Sequence, residues 1–217
     1  MKKNILLFMA FCVAGLSCTK EVIQPPQTIP SAGKTTFTEE VEDDSVLYKN
    51  GFNSDDQDWT IQGDAQGPST TPNYNTAGGS PGGYISAVDD VSGDYWYFGA
   101  SPQFLNNMKD KYNKTLKFKL KQSSTTSQTS KQDLIIISGN GMDIIYNAPY
   151  HPEVTWTKYK VPLKAPDWIK ASTGTAPSRT EMKAVLKNIT KLWIRGEYRS
   201  GADIGGLDNV VIVEKLP

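Results

Sequence analysis

Between Thr115 and Gln122 apolar and charged residues alternate without a break: Leu116, Phe118 and Leu120 against Lys117, Lys119 and Lys121. A period of two puts each set on its own side, so the segment predicts a strand with one buried and one wet face. The run from Thr155 to Leu163 repeats the pattern, with Tyr159, Val161 and Leu163 inward and Lys158 and Lys160 outward. Leu134 to Ile137 is continuously apolar, which predicts a strand buried on both faces. Further short strands are expected around Tyr95 to Phe98, Leu192 to Tyr198 and Val210 to Val213. These runs begin at about Val46 and are separated by turn residues, the spacing of an all-β sandwich.

A single segment has the helical period. Ser178-Arg179-Thr180-Glu181 follows Pro177 with the spacing of a capping box. Met182, Val185, Leu186 and Ile189 then make one apolar stripe. The pattern predicts one short helix that caps an end of the sandwich. From Gly63 to Gly83 the chain is rich in Gly, Pro, Ser, Thr and Asn and has no period. Loops of that length in compact domains are usually functional or mobile.

The beginning of the chain has a different character. Lys2 and Lys3 precede an apolar run from Ile5 to Gly15, which is short for a membrane span. That is the pattern of an export signal, here over residues 1–17. Gly15-Leu16-Ser17-Cys18 resembles a lipobox, with Gly where Leu is usual, as in lipoproteins of Bacteroidetes-type bacteria. The resemblance implies a lipid on Cys18. Cys12 would leave with the signal, so the mature domain would carry no free thiol. Residues 18–45 include Pro25-Pro26 and Pro30 among Ser, Thr and acidic residues, which predicts a solvated, extended tether. The folded domain is expected over 46–217, held by its lipid at the outer membrane, on the cell surface or the periplasmic face.

Charge and composition narrow the chemistry. Among 217 residues, 23 Lys and Arg balance 23 Asp and Glu. Net neutrality argues against nucleic acid as a main partner, which needs a basic surface to displace counterions. One His and two Cys exclude a multi-histidine metal site, a structural zinc and a disulfide scaffold. There is no Gly-x-Ser-x-Gly elbow, and no motif supplies His151 with a nucleophile or an orienting acid. The chain is therefore not expected to be an enzyme, although two facing carboxylates in a cleft would reopen glycoside chemistry.

The stretch from Tyr95 through Trp96, Ala100-Ser101-Pro102 and Phe104-Leu105 resembles the opening of the laminin IV type A domain, also called the laminin B domain. Tyr112 to Leu120 is similar to that family's Tyr-Gly-Gly-x-Leu-x-Phe-x-Leu strand. Leu134 to Asp143 is similar to its apolar strand with a Gly-Asn-Gly turn, and Trp156 to Trp168 to its strand with a downstream Trp. Pro177 to Arg199 and Gly206 to Val210 match the helix and the closing strands. The resemblance covers roughly 84–214. Asn106 and Asn113-Lys114 stand where the family prefers Gly, and no cysteine-rich repeats flank the domain. Asn tolerates a left-handed backbone, so these turns survive the change.

The resemblance implies a jelly-roll β-sandwich of galactose-binding-like, carbohydrate-binding-module-like architecture, and a non-catalytic extracellular module. It also implies a structural calcium where the first and last strands meet. Asn53, Asp55 and Asp208 are the candidate ligands, since calcium takes six to eight oxygens from such groups. The competing reading of the same residues is turn chemistry.

Ligand contacts are read from the residues themselves. Tyr95 and Tyr97 share one face of their strand, and Trp96 and Phe98 the other. One pair belongs to the core, and the other is a candidate sugar platform, since aromatic rings offer flat, rigid contact area. Arg195, Glu197 and Arg199 form a row that reads either as a ligand platform or as a solvated, self-paired face. Tyr95, Tyr97, Arg195 and Glu197 are thus the candidate ligand contacts. The expected function is a cell-envelope lipoprotein whose module binds carbohydrate or glycoprotein. The alternative is an adhesive or structural module that binds another protein.

Overall fold

A computed structural model describes residues 44–67, 70–90 and 93–216. The expected leader over 1–17, Cys18 and nearly all of the tether lie outside the described residues. Strands β1 (Asp44–Asn50), β2 (Thr60–Gln62), β3 (Asn73–Asn75), β4 (Tyr84–Asp89) and β5 (Tyr97–Gly99) precede helix α1 (Pro102–Met108). Next come β6 (Thr115–Gln122), β7 (Asp133–Gly139), β8 (Met142–Asn147), β9 (Thr157–Pro162) and β10 (Ile169–Lys170). Helix α2 (Arg179–Lys187), β11 (Ile189–Arg195) and β12 (Asp203–Lys215) follow.

The strands form two antiparallel sheets, β3-β4-β12-β6-β9 and β10-β8-β7-β11-β5-β2. β12 organises the first. Its Asp203–Leu207 half pairs with β4, its later half pairs with β1, and β6 lies along its other side. The alternation in β6 and β9 is realised as expected. Leu116, Phe118, Leu120, Tyr159 and Val161 are buried, while the lysines between them face outward. From the second sheet Ile135, Ile137, Phe98, Leu192 and Ile194 join the same core. Each such aliphatic or aromatic side chain contributes roughly 1.5–3 kcal/mol by leaving water.

The structure differs from expectation in four places. β1 begins at Asp44, inside the span expected for the tether, because its pairing with β12 runs out to Lys215. β7 is not buried on both faces, since Ile136 is only half-buried on the outer side. Ile189 opens β11 instead of ending the helical stripe. A second helix, α1, also exists. Ser101 caps it by accepting the Phe104 N–H at 3.3 Å, and Pro102 sits in its first turn. Phe104 and Met108, one turn apart, are fully buried. The capping box of α2 forms as expected, with Ser178 and Glu181 each bonding the other's backbone N–H.

Candidate functional site

The four expected ligand contacts do not form an open platform. Trp96 and Phe98 are the core pair of their segment, as their parity allows. Tyr97, on the opposite face, is 5% exposed and Arg195 is 0% exposed. Arg195 is instead the centre of a buried polar network. It donates to the Lys131 carbonyl at 2.6 Å and to Thr129 Oγ1 at 2.7 Å, and stands 3.6 Å from Asp133 Oδ1. Tyr95 and Tyr198 sandwich its guanidinium at 4.3 and 4.9 Å. Tyr97 donates to Asp133 Oδ2 at 2.8 Å, and burial with that carboxylate pushes its phenol up. The solvated Arg-Glu-Arg row is thus corrected. β11 ends at Arg195, so the strand parity does not extend to Glu197 and Arg199.

Glu197 lies apart from that network, in an acidic cleft of about 490 Å³ that it lines with Asp89, Asp90 and Asp94. Burial pushes its carboxyl up to about 7, helped by Asp89 and Asp64 and opposed by Arg195 and the Trp96 N–H. Among the described residues, both carboxylate oxygens of nearby Asp64 are buried without a hydrogen-bond partner. The sign of the linkage follows. Glu197 binds its proton more tightly folded than unfolded, so stability falls as pH rises from about 4.5 to about 7 and is level above that. Glu197→Gln should therefore raise the melting temperature at pH 8 and leave it nearly unchanged at pH 4. An equal change at both values would show that Glu197 titrates normally.

Asn53, Asp55 and Asp208 take separate roles. Asp208 is fully buried, and N–H donors already face both of its oxygens. Ser80 N–H donates to Oδ2, Asn209 N–H to Oδ1 at 2.6 Å, and the Asn209 amide to Oδ2 at 3.1 Å. Burial raises the Asp208 carboxyl, while these donors with Lys119 and Lys49 pull it down. Asp55 Oδ1 accepts the Gln57 N–H at 3.1 Å within its own turn. The Asn53 carbonyl accepts the Tyr74 hydroxyl at 2.9 Å. Among the described residues, no group of three or more carboxylate, imidazole or thiol side chains stands at metal-holding spacing.

An aromatic platform does exist, on the outer face of the first sheet. Tyr84 alternates with buried Ile85, and Trp156 precedes β9 with the parity of Lys158. Both rings are half-buried, edge to face, with centroids 5.3 Å apart. Lys121 Nζ lies 3.8 Å from the Tyr84 ring centre and 4.5 Å from that of Trp156. A Cβ on Gly206 would stand 3.1 Å from the Lys121 stem and 3.3 Å from Tyr84, so glycine leaves room for both. Beside Tyr84, the Asn75 amide donates to Ser86 Oγ at 2.9 Å. The long loop also reaches this face. The Gly78 carbonyl accepts Trp156 Nε1 at 3.0 Å, and Ser80 accepts Lys119 at 2.8 Å. A rival pair on the second sheet, Tyr97 stacked on Trp193 at 5.5 Å, offers less because Tyr97 is covered. Sequence reasoning missed this pairing, although the outward parity of Lys121 and the count of Trp residues both pointed toward it.

A family model for laminin B (domain IV) matches residues 97–214. Laminin-like protein lam-2 of Caenorhabditis elegans is 30% identical over 131 residues, which is 57% of this chain and 8% of that protein. The L4b domain of human laminin alpha-2 matches with a TM-score of 0.60 at 14% identity, over 78% of this chain and 98% of that one. CtCBM11, a carbohydrate-binding module, matches with a TM-score of 0.52 at 16% identity, over 82% of this chain and 99% of that one. At such identities the two structural likenesses are of fold, the jelly-roll sandwich that the residue pattern and the sheets also describe.

Proposed function

The chain belongs to the laminin B (domain IV) family, and from that premise we propose that its sandwich is a non-catalytic module that binds carbohydrate or a glycoprotein's glycan. One observation carries the reading: the half-buried Tyr84–Trp156 pair beside Lys121, Asn75 and Ser86 on an open sheet face. A sugar ring has C–H faces that pack on aromatic rings and hydroxyls that bond amides, hydroxyls and ammonium groups. Rigid rings next to planar polar groups meet both needs at little entropic cost. That a fold neighbour is named a carbohydrate-binding module agrees with this reading, but the residues support it. The proposal extends to the expected setting, an outer-membrane lipoprotein anchored through Cys18.

Trp156→Ala tests the site. Truncating a central aromatic contact costs roughly 2 kcal/mol of binding, which is about thirtyfold in Kd. Affinity electrophoresis of the full chain through a panel of plant and host polysaccharides should show retardation that the variant loses. Its melting temperature should stay near wild type, since the ring is only half-buried. Undiminished retardation of the variant would move the site elsewhere.

A further inference from the structure

The outer face of the first sheet is strongly basic although the chain as a whole is neutral. Lys117, Lys119 and Lys121 project from β6, and Lys158 and Lys160 from β9. The register sets Lys117 directly opposite Lys160 and Lys119 directly opposite Lys158. Like charges in directly opposed positions destabilise a sheet. Lysines on an edge strand have a common use, since they discourage pairing with another chain. That accounts for β9, which is the edge. It does not account for β6, which is flanked by β12 and β9.

Acidic groups do little to offset this face. Asp44 pairs with Lys117, and Asp208 is fully buried beneath Ser80 and Asn209. The crossing loop, Gly78-Gly79-Ser80-Pro81-Gly82-Gly83, carries no charge. Asp89, Asp90, Asp94 and Glu197 are gathered instead in the cleft described above. The neutral total therefore conceals segregated charge, and the basic part adjoins the aromatic platform through Lys121.

We propose that the carbohydrate is an anionic polysaccharide, with one sugar ring on Tyr84 and Trp156 and its carboxylate or sulfate groups along Lys158 and Lys160. This rests on the carbohydrate-binding reading and narrows it. Lys158 and Lys160 are the exposed members of the row, so they are the ones a ligand reaches from solvent. Nucleic acid shares the charge and is the less fitting polyanion, because the face offers one aromatic pair and not the succession of stacking platforms that bases use.

The test uses the full chain in affinity electrophoresis and titration calorimetry against alginate (carboxylate only), carrageenan (sulfate only), neutral xylan and mixed-linkage glucan, and a thymidine oligonucleotide. The expected result is binding to alginate, carrageenan or both, with the responding polymer naming the anionic group. K158Q/K160Q should weaken that binding roughly tenfold, the sum of two exposed charge contacts. Raising salt from about 0.05 to 0.5 M should weaken it too, since exposed charges are screened. Binding to neutral polymers alone would overturn this inference and leave the carbohydrate reading standing. Equal binding to the oligonucleotide would overturn it as unspecific charge attraction. Binding to no polysaccharide would overturn both readings.

Discussion

Replacing Arg195 with alanine is expected to cost about 3–5 kcal/mol of folding stability, the range for removing one member of a buried charge pair. Arg195 is 0% exposed and Asp133 is 7% exposed. The two stand at ion-pair distance, 3.6 Å, and Asp133 Oδ1 has no hydrogen bond of its own. Without the guanidinium that oxygen keeps no close cation, and only Oδ2 retains Tyr97 at 2.8 Å and Lys131 at 3.2 Å. The same substitution removes both donors that tie residues 129 and 131 to β11. It also unstacks Tyr95 from Tyr198. Against a total stability of about 5–15 kcal/mol this is a large fraction. Urea unfolding followed by tryptophan fluorescence measures it. Arg195→Met combined with Asp133→Leu should recover much of the loss, because it removes both charges and not one. A single-variant loss below about 1 kcal/mol would mean that water already reaches the network.

The fate of Arg195 also shows where sequence reading stops. Parity along β6 and β9 was legible because both strands alternate over their full length. The α2 helix was legible because its capping box and stripe are local. The row Arg195, Glu197 and Arg199 extended the same parity past the last residue of β11 and so assigned Arg195 to solvent. Its partners Thr129, Lys131 and Asp133 sit in and before β7, far away in the chain. Nothing local announces such a network. α1 escaped notice for the opposite reason, since a helix that buries only Phe104 and Met108 is too short to establish a period. The aromatic platform joins residues from β4, β6 and the approach to β9. Parity set Lys121 and Trp156 outward, but only the register through β12 brings Tyr84 beside them. The lysine row was visible from the start. Its opposed pairing required the β6–β9 register.

Gly196→Ala is expected to cost about 3 kcal/mol or more, at the upper end of the penalty for overfilling a packed core. The residue follows Arg195, and its own backbone N–H donates to the Trp96 carbonyl at 3.0 Å. Its backbone is not in the left-handed region, so alanine meets no conformational obstacle and the penalty is steric. A Cβ there would lie 2.0 Å from Trp96 Cζ3 and 2.2 Å from Cη2. Trp96 is 0% exposed, and across the ring Gly205 is equally tight, with its Cβ position 2.7 Å from Cη2. The indole lies between two glycines and has no slot to retreat into. Trp96→Leu alone should also destabilise, by roughly 3 kcal/mol for a large aromatic lost from a core. Together the two changes should cost less than their sum by about 2 kcal/mol, because the smaller side chain vacates the space the methyl needs. Strict additivity in that cycle would refute the close packing of ring on glycine. The consequence reaches the acidic cleft, because the Trp96 backbone N–H steadies the ionised Glu197 carboxyl. A Trp96 displaced by the new methyl would withdraw that donor, and Glu197 would titrate higher still in any Gly196→Ala protein that remains folded.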